Sequence, residues 1–367
     1  MSKNELPIWS ADERASYLLR GLYRQHGYLP YHMSKFEEYD LYVRNKSFLV
    51  SDKILTFTDT DGRLMALKPD VTLSIVKNTP DSVQGLHKVY YNEHVYRTST
   101  AAAGYREILQ TGLECIGQVD QLAVAEVISL ACQSLELIDR EYLLDLSHMG
   151  FVAGMLTDLD GELQRELLTA IGEKNVPAIA ALCVNHGIQA DRQRQLERLA
   201  TIYGQPSQVL PTLGELACSE ASRQAWEELS QLCSLLEGMG CTQRLRLDFS
   251  IVNDMNYYNG VIFRGYLPGL ASGVLSGGRY DKLLQKMGKQ GGAIGFAVYL
   301  DQLEWLEKQE PSYDADVLLL YSAADAPAAV AEMARQLRQE GRSVRVEQTA
   351  AQEGRFREIL SFPGGRA

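Results

Sequence analysis

The sequence has little positive charge, and it lacks the signals of an exported protein. Its 36 Lys and Arg residues are outnumbered by 47 Asp and Glu, which gives a formal net charge of −11. Nucleic-acid backbones are bound by cations that displace condensed counterions, so this balance argues against nucleic acid without excluding a local basic patch. No basic flank followed by an apolar core occurs in the opening run MSKNELPIWSADERASYL. We therefore expect a cytoplasmic protein.

Cysteine pairs and long apolar runs are also missing. The six cysteines have no CxxC spacing and are too sparse for a disulfide scaffold. No uninterrupted apolar run reaches the roughly 18 residues that span a bilayer. The six histidines and six cysteines show no metal-ligand spacing, so we expect no metal. With 367 residues, 46% of them hydrophobic, the chain matches a globular protein of more than one domain.

Apolar periodicity predicts an α+β fold. Residues 12–26 place Ala15, Leu18, Leu19 and Leu22 on one helical face. The runs 53–58 and 63–67, joined by an Asp/Gly turn, predict a β-hairpin. Further strands are predicted at 88–96, 107–116, 244–249, 261–266 and 275–278, and further helices at 119–138 and 280–287. Because strands and helices occur in blocks, an antiparallel sheet with flanking helices is indicated.

Composition changes twice along the chain, which suggests three regions. Between residues 154 and 240, Leu, Ala, Gln and Glu recur at helical spacing, and we expect a helical insertion there. A polar, Pro-containing linker at 308–312 precedes a strand–helix–strand pattern, so residues 311–367 are predicted to form a truncated α/β segment. The core would then consist of residues 1–153 and 241–310.

A polar constellation lies within the predicted strands. The period of two in the run 108–114 puts Gln110, Gly112 and Glu114 on one face. Glu114 and Asp70 could hold an ammonium group there while Tyr257 or Tyr258 packs on a ring and donates a hydroxyl. From spacing alone, a solvated polar sheet face without any ligand is the favoured interpretation.

Five segments, in the same order, resemble the catalytic core of histidyl-tRNA synthetase from about Ala11 to Leu306. LKPDVT, at 67–72, is similar to that family's Arg-Pro-Glu-Gly-Thr element, and HVYRTSTAAAGYREILQTGLE, at 94–114, to its motif 2. VNDMNYYNGVIF, at 252–263, resembles its histidine-specific segment. SGGRYDKLL, at 276–284, and AIGFAVYLDQL, at 293–303, resemble the pocket floor and motif 3. The GGRYD run together with the tandem tyrosine makes the resemblance specific.

The resemblance implies a site for histidine. Its amino group would be contacted from the LKPDVT run, its imidazole ring would be read by the tandem tyrosines, and motif 2 would supply an arginine, an amide and a carboxylate. The implied histidine-binding residues are Asp70, Thr72, Arg97, Gln110, Glu114, Tyr257 and Tyr258.

Several departures remove groups that activation of the amino acid needs. Gln302 stands where motif 3 has an arginine that grips ATP phosphate, and Asn253 stands where the histidine-specific segment has another arginine. Thr98-Ser99 follows Arg97 where motif 2 runs Arg-x-Glu, so the carboxylate that helps to seat adenine is missing. An arginine that stabilises such a transition state can be worth on the order of 10³-fold, and a neutral amide cannot replace its bidentate charge. We therefore predict binding without a catalytic residue.

This pattern resembles the regulatory subunits of ATP phosphoribosyltransferase, which are paralogues of histidyl-tRNA synthetase. The resemblance implies a non-catalytic subunit without a cofactor that activates the short catalytic subunit in the first step of histidine biosynthesis. It also implies feedback inhibition by histidine and a homodimer within a hetero-octamer, with no tRNA and no membrane. We expect inhibition to be coupled to closure of a loop around the ligand, with residues 101–104 as the lid. Two alternatives stay open: an active histidyl-tRNA synthetase, and a synthetase-like protein with another partner.

Overall fold

The computed structural model describes residues 9–46, 54–81, 84–99, 104–252, 257–303, 306, 313–349 and 354–362. The chain forms two compact units, Met1–Leu306 and Glu307–Ala367. Within its described residues, the first unit contains a large mixed sheet, a small sheet, the eleven α-helices given below and a short 3₁₀ helix, Leu300–Gln302. The prediction of an α+β fold is confirmed, whereas the division of the first unit into a core and an insertion stays a prediction.

The strands of the first unit are, in chain order, β1 (Leu29–Pro30), β2 (Phe36–Glu38), β3 (Thr56–Thr58), β4 (Leu64–Leu67), β5 (Leu86–Ser99), β6 (Gly104–Gly117), β7 (Leu143–His148), β8 (Tyr203–Gly204), β9 (Leu245–Asp248), β10 (Val261–Tyr266), β11 (Leu275–Arg279) and β12 (Gly292–Tyr299). Its helices are α1 (Ala11–Gln25), α2 (Tyr39–Arg44), α3 (Thr72–Asn78), α4 (Gln121–Ile138), α5 (Met149–Leu156), α6 (Gly161–Gly172), α7 (Val176–Asn185), α8 (Ala190–Thr201), α9 (Pro206–Leu216), α10 (Glu220–Gly238) and α11 (Asp281–Lys286).

Nine strands form the central sheet in the order β1-β5-β6-β12-β11-β10-β7-β9-β8. Every neighbouring pair is antiparallel except β1 with β5 and β7 with β9. The longest pairing joins β5 to β6, from Leu86 opposite Gly117 to Ser99 opposite Gly104. These two strands extend through motif 2, so they fix the positions of its polar side chains relative to one another.

Helix α4 covers one face of the sheet and contributes most to the main core. It begins at a polar cap, since the Asp120 carboxylate accepts a hydrogen bond from the Ala123 backbone N–H at 2.8 Å. It is also the one helix of the described residues that is long and apolar enough to match a membrane span, but 61% of that stretch is buried inside the protein. Its apolar surface is therefore explained by packing in the core.

Residues 154–240 consist largely of helices, as the spacing predicts. They hold the end of α5, the whole of α6 to α10, and the two-residue strand β8, which extends the edge of the central sheet. Lys174 follows α6 with a left-handed φ of 52°, and its ammonium lies 2.9 Å from the Asp248 carboxylate of β9. The connection between α6 and α7 thus contacts the sheet through an ion pair.

The small sheet of the first unit has the order β2-β4-β3 and contains the predicted hairpin. Gly62 has a φ of 80° in the turn between β3 and β4, a conformation that glycine adopts without strain. Ala66 of β4 is buried together with Tyr42 and Val71 in a second apolar core. This core lies beneath the polar segment that follows β4.

In its described residues, 313–349 and 354–362, the second unit has a three-stranded parallel sheet and one helix. It contains β13 (Ala315–Leu320), α12 (Pro327–Gln339), β14 (Val344–Glu347) and β15 (Phe356–Ser361), with strand order β14-β13-β15. Leu319 packs against Val330 and Ala334 of the helix. The predicted strand–helix–strand pattern is confirmed, and β15 is a strand that the sequence did not predict.

Candidate functional site

One face of the central sheet brings polar side chains and glycines together. In the strand register, Glu114 of β6 lies opposite Gly295 of β12, and Gly295 lies opposite Gly278 of β11. Because side chains alternate along a strand, Gln110, Gly112 and Glu114 share this face, as predicted. The Glu114 carboxylate therefore stands beside a floor formed by two glycines, Gly295 and Gly278, whereas the Gln110 amide lies on the strand opposite Tyr299.

Glu114 is the most deeply buried carboxylate of the site, with 2% of its surface exposed. Its two oxygens accept hydrogen bonds from Thr72 Oγ1 at 2.7 Å and from the Tyr280 hydroxyl at 2.5 Å. Burial raises the pKa of Glu114 to about 8, although both hydrogen bonds oppose the rise. Glu114 is thus held by two neutral donors, and a cation would stabilise its charged form.

Asp70 and Arg97 lie together at the start of α3. The Asp70 carboxylate accepts a hydrogen bond from the Leu73 backbone N–H at 2.9 Å and lies 3.9 Å from the Arg97 guanidinium. Arg97 also donates through Nε to the Pro69 carbonyl at 2.8 Å. Burial raises the pKa of Asp70, while Arg97 opposes the rise. The pair presents one acidic and one basic group close to Glu114.

Tyr257 and Tyr258 form an edge-to-face pair, with ring centroids 4.4 Å apart and planes at 66°. The Tyr257 ring also lies 6.2 Å from the Tyr280 ring, which links the pair to the Glu114 hydrogen bond. Burial raises the pKa of Tyr258 far above its ordinary value, so its phenol stays protonated at neutral pH. Together the tyrosines supply an aromatic wall with hydroxyl donors.

Gln110 is buried with 2% of its surface exposed, and its Nε2 has no hydrogen-bond partner among the described residues. A buried donor without an acceptor costs about 1–3 kcal/mol. Gln110 lies four residues from Glu114, about 13 Å along the strand. Its amide is therefore available to a polar ligand at the other end of the same face.

Two side chains on this face were not predicted from the sequence to belong to the site. Tyr280 lies within the GGRYD run, yet only the structure shows its bond to Glu114. Tyr91 lies opposite Gly112 in the register, and its hydroxyl would be 2.6 Å from a Cβ at that glycine. Alternation along β5 would have put Tyr91 on the same face as Arg97, which was the signal available for it.

Two glycines of the floor give the site its depth. A Cβ at Gly295 would be 1.7 Å from Glu114 Oε2, and a Cβ at Gly278 would be 2.7 Å from Cδ1 of Tyr258. Contacts under 3.0 Å force something to move. The Glu114 carboxylate and the Tyr258 ring therefore occupy the space that side chains at these two positions would fill.

For the histidine site that the resemblance implies, we expect Gly278→Ala to weaken ligand binding about tenfold. The added Cβ would lie 2.7 Å from Cδ1 of Tyr258 and 2.8 Å from the Val261 carbonyl oxygen, so the Tyr258 ring has to move. Titration calorimetry with histidine measures the effect. Gly21→Ala in α1 is the matched control, since a Cβ there has nothing within 4 Å. Histidine binding by the control should be unchanged, and its helix should be stabilised by up to about 1 kcal/mol. Equal affinities of the two variants would contradict the assigned place of Tyr258.

A separate cavity of about 500 Å³ adjoins the site at Arg97 and is lined also by Arg106, Tyr299, Asp301 and Gln302. The Arg106 guanidinium lies 3.6 Å from Asp301, and Gln302 accepts a hydrogen bond from the Ser272 hydroxyl at 3.1 Å. Arginines do line this cavity, but Arg97 and Arg106 each face a carboxylate of the protein. Asn253 and most of the predicted lid, residues 101–103, lie outside the described residues.

Comparison with known proteins gives one consistent result. The family model of histidyl-tRNA synthetase matches residues 7–303. The ATP phosphoribosyltransferase regulatory subunit of Geobacter sulfurreducens is 32% identical over 301 residues, which cover 79% of this chain and 68% of that protein. The subunit of the same name from Clostridium kluyveri is 31% identical over 338 residues, covering 88% and 86%.

Solved structures show the same fold. A crystal structure described as an ATP phosphoribosyltransferase regulatory subunit/histidyl-tRNA synthetase from Bacillus halodurans aligns with a TM-score of 0.75 and 24% identity, covering 96% of this chain and 93% of that one. A chain of the ATP phosphoribosyl transferase (HisG:HisZ) complex from Thermotoga maritima aligns with a TM-score of 0.62 and 20% identity, covering 79% and 97%.

Proposed function

Because the chain belongs to the family of ATP phosphoribosyltransferase regulatory subunits, which are paralogues of histidyl-tRNA synthetase, we propose that it is a non-catalytic, cytoplasmic subunit that binds histidine. In this proposal it activates the short catalytic subunit of ATP phosphoribosyltransferase, and bound histidine signals feedback inhibition. The observation that supports it best is the buried Glu114 carboxylate, held by Thr72 and Tyr280 beside the tandem tyrosines.

Free histidine fits the chemistry of this face. Its ammonium group would lie between Asp70 and Glu114, where two carboxylates compensate one positive charge. Its imidazole would pack on the Tyr257–Tyr258 wall and exchange hydrogen bonds with the phenols. Its carboxylate would face Arg97, which already shares its charge with Asp70. Since one arginine serves both groups, we expect modest affinity, which suits a sensor of metabolite concentration.

The adjoining cavity supports the loss of adenylation chemistry. Stabilising a nucleotide phosphate requires cations that are aimed at the transferring group. Arg106 is directed instead to Asp301, and the amide of Gln302 takes the place that motif 3 gives to an arginine. A nucleotide entering this cavity would also meet the Asp301 carboxylate, whose charge repels phosphate.

An active histidyl-tRNA synthetase is the second candidate. It is favoured by the family match over residues 7–303 and by the two arginines that line the cavity. Such an enzyme would exchange pyrophosphate into ATP when histidine is present, which a regulatory subunit would not do.

Mixing the protein with a short-form ATP phosphoribosyltransferase catalytic subunit tests the proposed activation. Formation of phosphoribosyl-ATP should increase when this protein is added, and histidine should reduce the increase. The catalytic subunit with bovine serum albumin serves as the control. An unchanged rate over a range of mixing ratios would overturn the proposal.

Histidine binding should release a proton near pH 7. Glu114, with a pKa of about 8, is mostly protonated there, and the ligand ammonium favours its charged form. Affinity should therefore rise between pH 7 and pH 8, by at most about tenfold, and fall again where the ligand ammonium itself loses its proton. Calorimetry in two buffers of different ionisation enthalpy measures the proton count. The Glu114→Gln variant is the control, and proton release of equal size in that variant would contradict the assignment.

A further inference from the structure

The Asp281 carboxylate, at the first residue of α11, accepts hydrogen bonds from three segments. Its Oδ2 accepts from Arg279 Nε at 2.8 Å and from Asn259 Nδ2 at 3.2 Å, and its Oδ1 accepts from the Ala293 backbone N–H at 2.8 Å. Only 14% of the Asp281 side chain is exposed. The Asp281 carboxylate therefore connects, through hydrogen bonds, the end of β11, the start of β12 and Asn259, the residue that follows Tyr258.

Asn259 and Gly260 are fixed to the same place by their backbones. The Asn259 N–H donates to the Arg279 carbonyl at 3.1 Å, and the Gly260 carbonyl accepts from the Met149 N–H at 2.9 Å. A Cβ at Gly260 would be only 3.1 Å from Cδ of Arg279. Asn259 and Gly260, which follow the tandem tyrosines, therefore pack against Arg279, and the Arg279 guanidinium is in turn held by Asp281.

We propose that Asp281 is a positioning residue for histidine recognition, which acts through Asn259 to set the Tyr258 ring over Gly278. This inference rests on the proposed function of the site. Tyr258 is one residue from Asn259, and the Tyr258 ring packs on the bare Cα of Gly278, one residue before Arg279. The Asp281–Asn259 hydrogen bond therefore links α11 to the segment that carries the Tyr258 ring, and Asp281 acts on the site only through this segment.

The hydrogen bond between Asn259 and Asp281 can be broken by a substitution at either partner. Asp281→Asn can present an amide donor to the Asn259 amide donor, whereas Asn259→Asp sets two carboxylates against each other. The double variant restores one acceptor and one donor between positions 259 and 281 with their places exchanged. The amide oxygen at position 281 can still accept from the Ala293 N–H, and Arg279, which shares Oδ2 of Asp281 with Asn259, then has its carboxylate partner at position 259. A group with a purely structural role would give additive losses, whereas a directional bond predicts rescue in the double variant.

The experiment compares the two single variants, the double variant and Asp158→Asn, an exposed aspartate that serves as the control. Two measurements are made on the full chain. Aromatic NMR of protein with labelled tyrosine, without ligand, follows the Tyr257 and Tyr258 ring resonances, which are assigned by Tyr→Phe substitution. Calorimetry then gives the histidine affinity of each variant.

We expect the two ring resonances to shift in both single variants and to return towards the wild-type positions in the double variant. Histidine affinity should fall about tenfold in each single variant and recover to within about threefold in the double. Unshifted ring resonances in both single variants, or losses that add in the double variant, would overturn the positioning role. If the wild-type protein binds no histidine while the rings shift as expected, the proposed function fails and the positioning of the tyrosines stands.

Discussion

Replacing Glu114 with Gln should weaken histidine binding by about 10- to 150-fold, the loss expected for one charge-assisted hydrogen bond of about 1.5–3 kcal/mol. The amide keeps the shape of the side chain and can still bond to Thr72 and Tyr280. It cannot supply the negative charge that would hold the ligand ammonium in the proposed histidine complex. Titration calorimetry at pH 8, where Glu114 ionises most readily on binding, measures the loss.

The same variant should be more stable than the wild-type protein in alkaline solution. The folded pKa of Glu114, about 8, exceeds its ordinary value of 4.5. The protonated form is therefore favoured by folding, and this stabilisation is complete below pH 4.5 and lost as the pH rises through 8. Gln cannot ionise and keeps it. The difference in Tm between Glu114→Gln and the wild-type protein should thus be larger at pH 9 than at pH 5.

Glu107→Gln is the matched control for both measurements, because Glu107 lies on the same strand with 54% of its side chain exposed. It should change neither the histidine affinity nor the pH dependence of Tm. A Glu114→Gln protein that binds histidine with wild-type affinity would remove Glu114 from the site. A smaller stability gain at pH 9 than at pH 5 would contradict its raised pKa.

In the proposed complex with a catalytic subunit, Glu114→Gln should weaken feedback inhibition by histidine without abolishing activation. Histidine inhibits only if it binds the inhibited state more tightly than the active state, and the coupling is reciprocal. Weaker binding in the pocket should therefore raise the histidine concentration for half-inhibition by the same 10- to 150-fold. Activity assays of phosphoribosyl-ATP formation against histidine concentration measure this value for the wild-type, Glu114→Gln and Glu107→Gln proteins.

Two results would contradict the proposed link between histidine binding in this pocket and inhibition of the catalytic subunit. Unchanged inhibition of the Glu114→Gln complex would mean that histidine acts elsewhere, for instance on the catalytic subunit. Loss of activation along with inhibition would mean that Glu114 supports the assembly itself. In either case calorimetry on the isolated variant shows whether histidine binding was lost.

The elements with strong periodicity were predictable, and the others were not. Helices α1 and α4 and strands β5, β6 and β10 follow their apolar patterns closely. Strand β12 was not predicted as a strand, because Gly292, Gly295 and small alanines give it little β-propensity, and only its pairing with β6 and β11 forms it. Strand β7 was missed because its residues are buried on both faces and show no clear alternation.

The composition of the site could be inferred from resemblance, but its contacts could not. Alternation along β6 placed Gln110 and Glu114 on one face, and the structure agrees. The bond from Tyr280 to Glu114 joins residues 166 positions apart, and the placement of Glu114 over Gly295 depends on the strand register. The pairing of Arg106 with Asp301 likewise required the structure, because the departure at Gln302 did not reveal it.

We infer that this pocket recognises histidine without activating it. The decisive measurement is histidine-dependent exchange of pyrophosphate into ATP on a sample that calorimetry shows to bind histidine, with an active histidyl-tRNA synthetase assayed in parallel. We predict saturable histidine binding with exchange no faster than in a sample without protein. Exchange that depends on histidine and disappears in Arg106→Ala would show that the arginines of the cavity still serve catalysis, and it would contradict the claim.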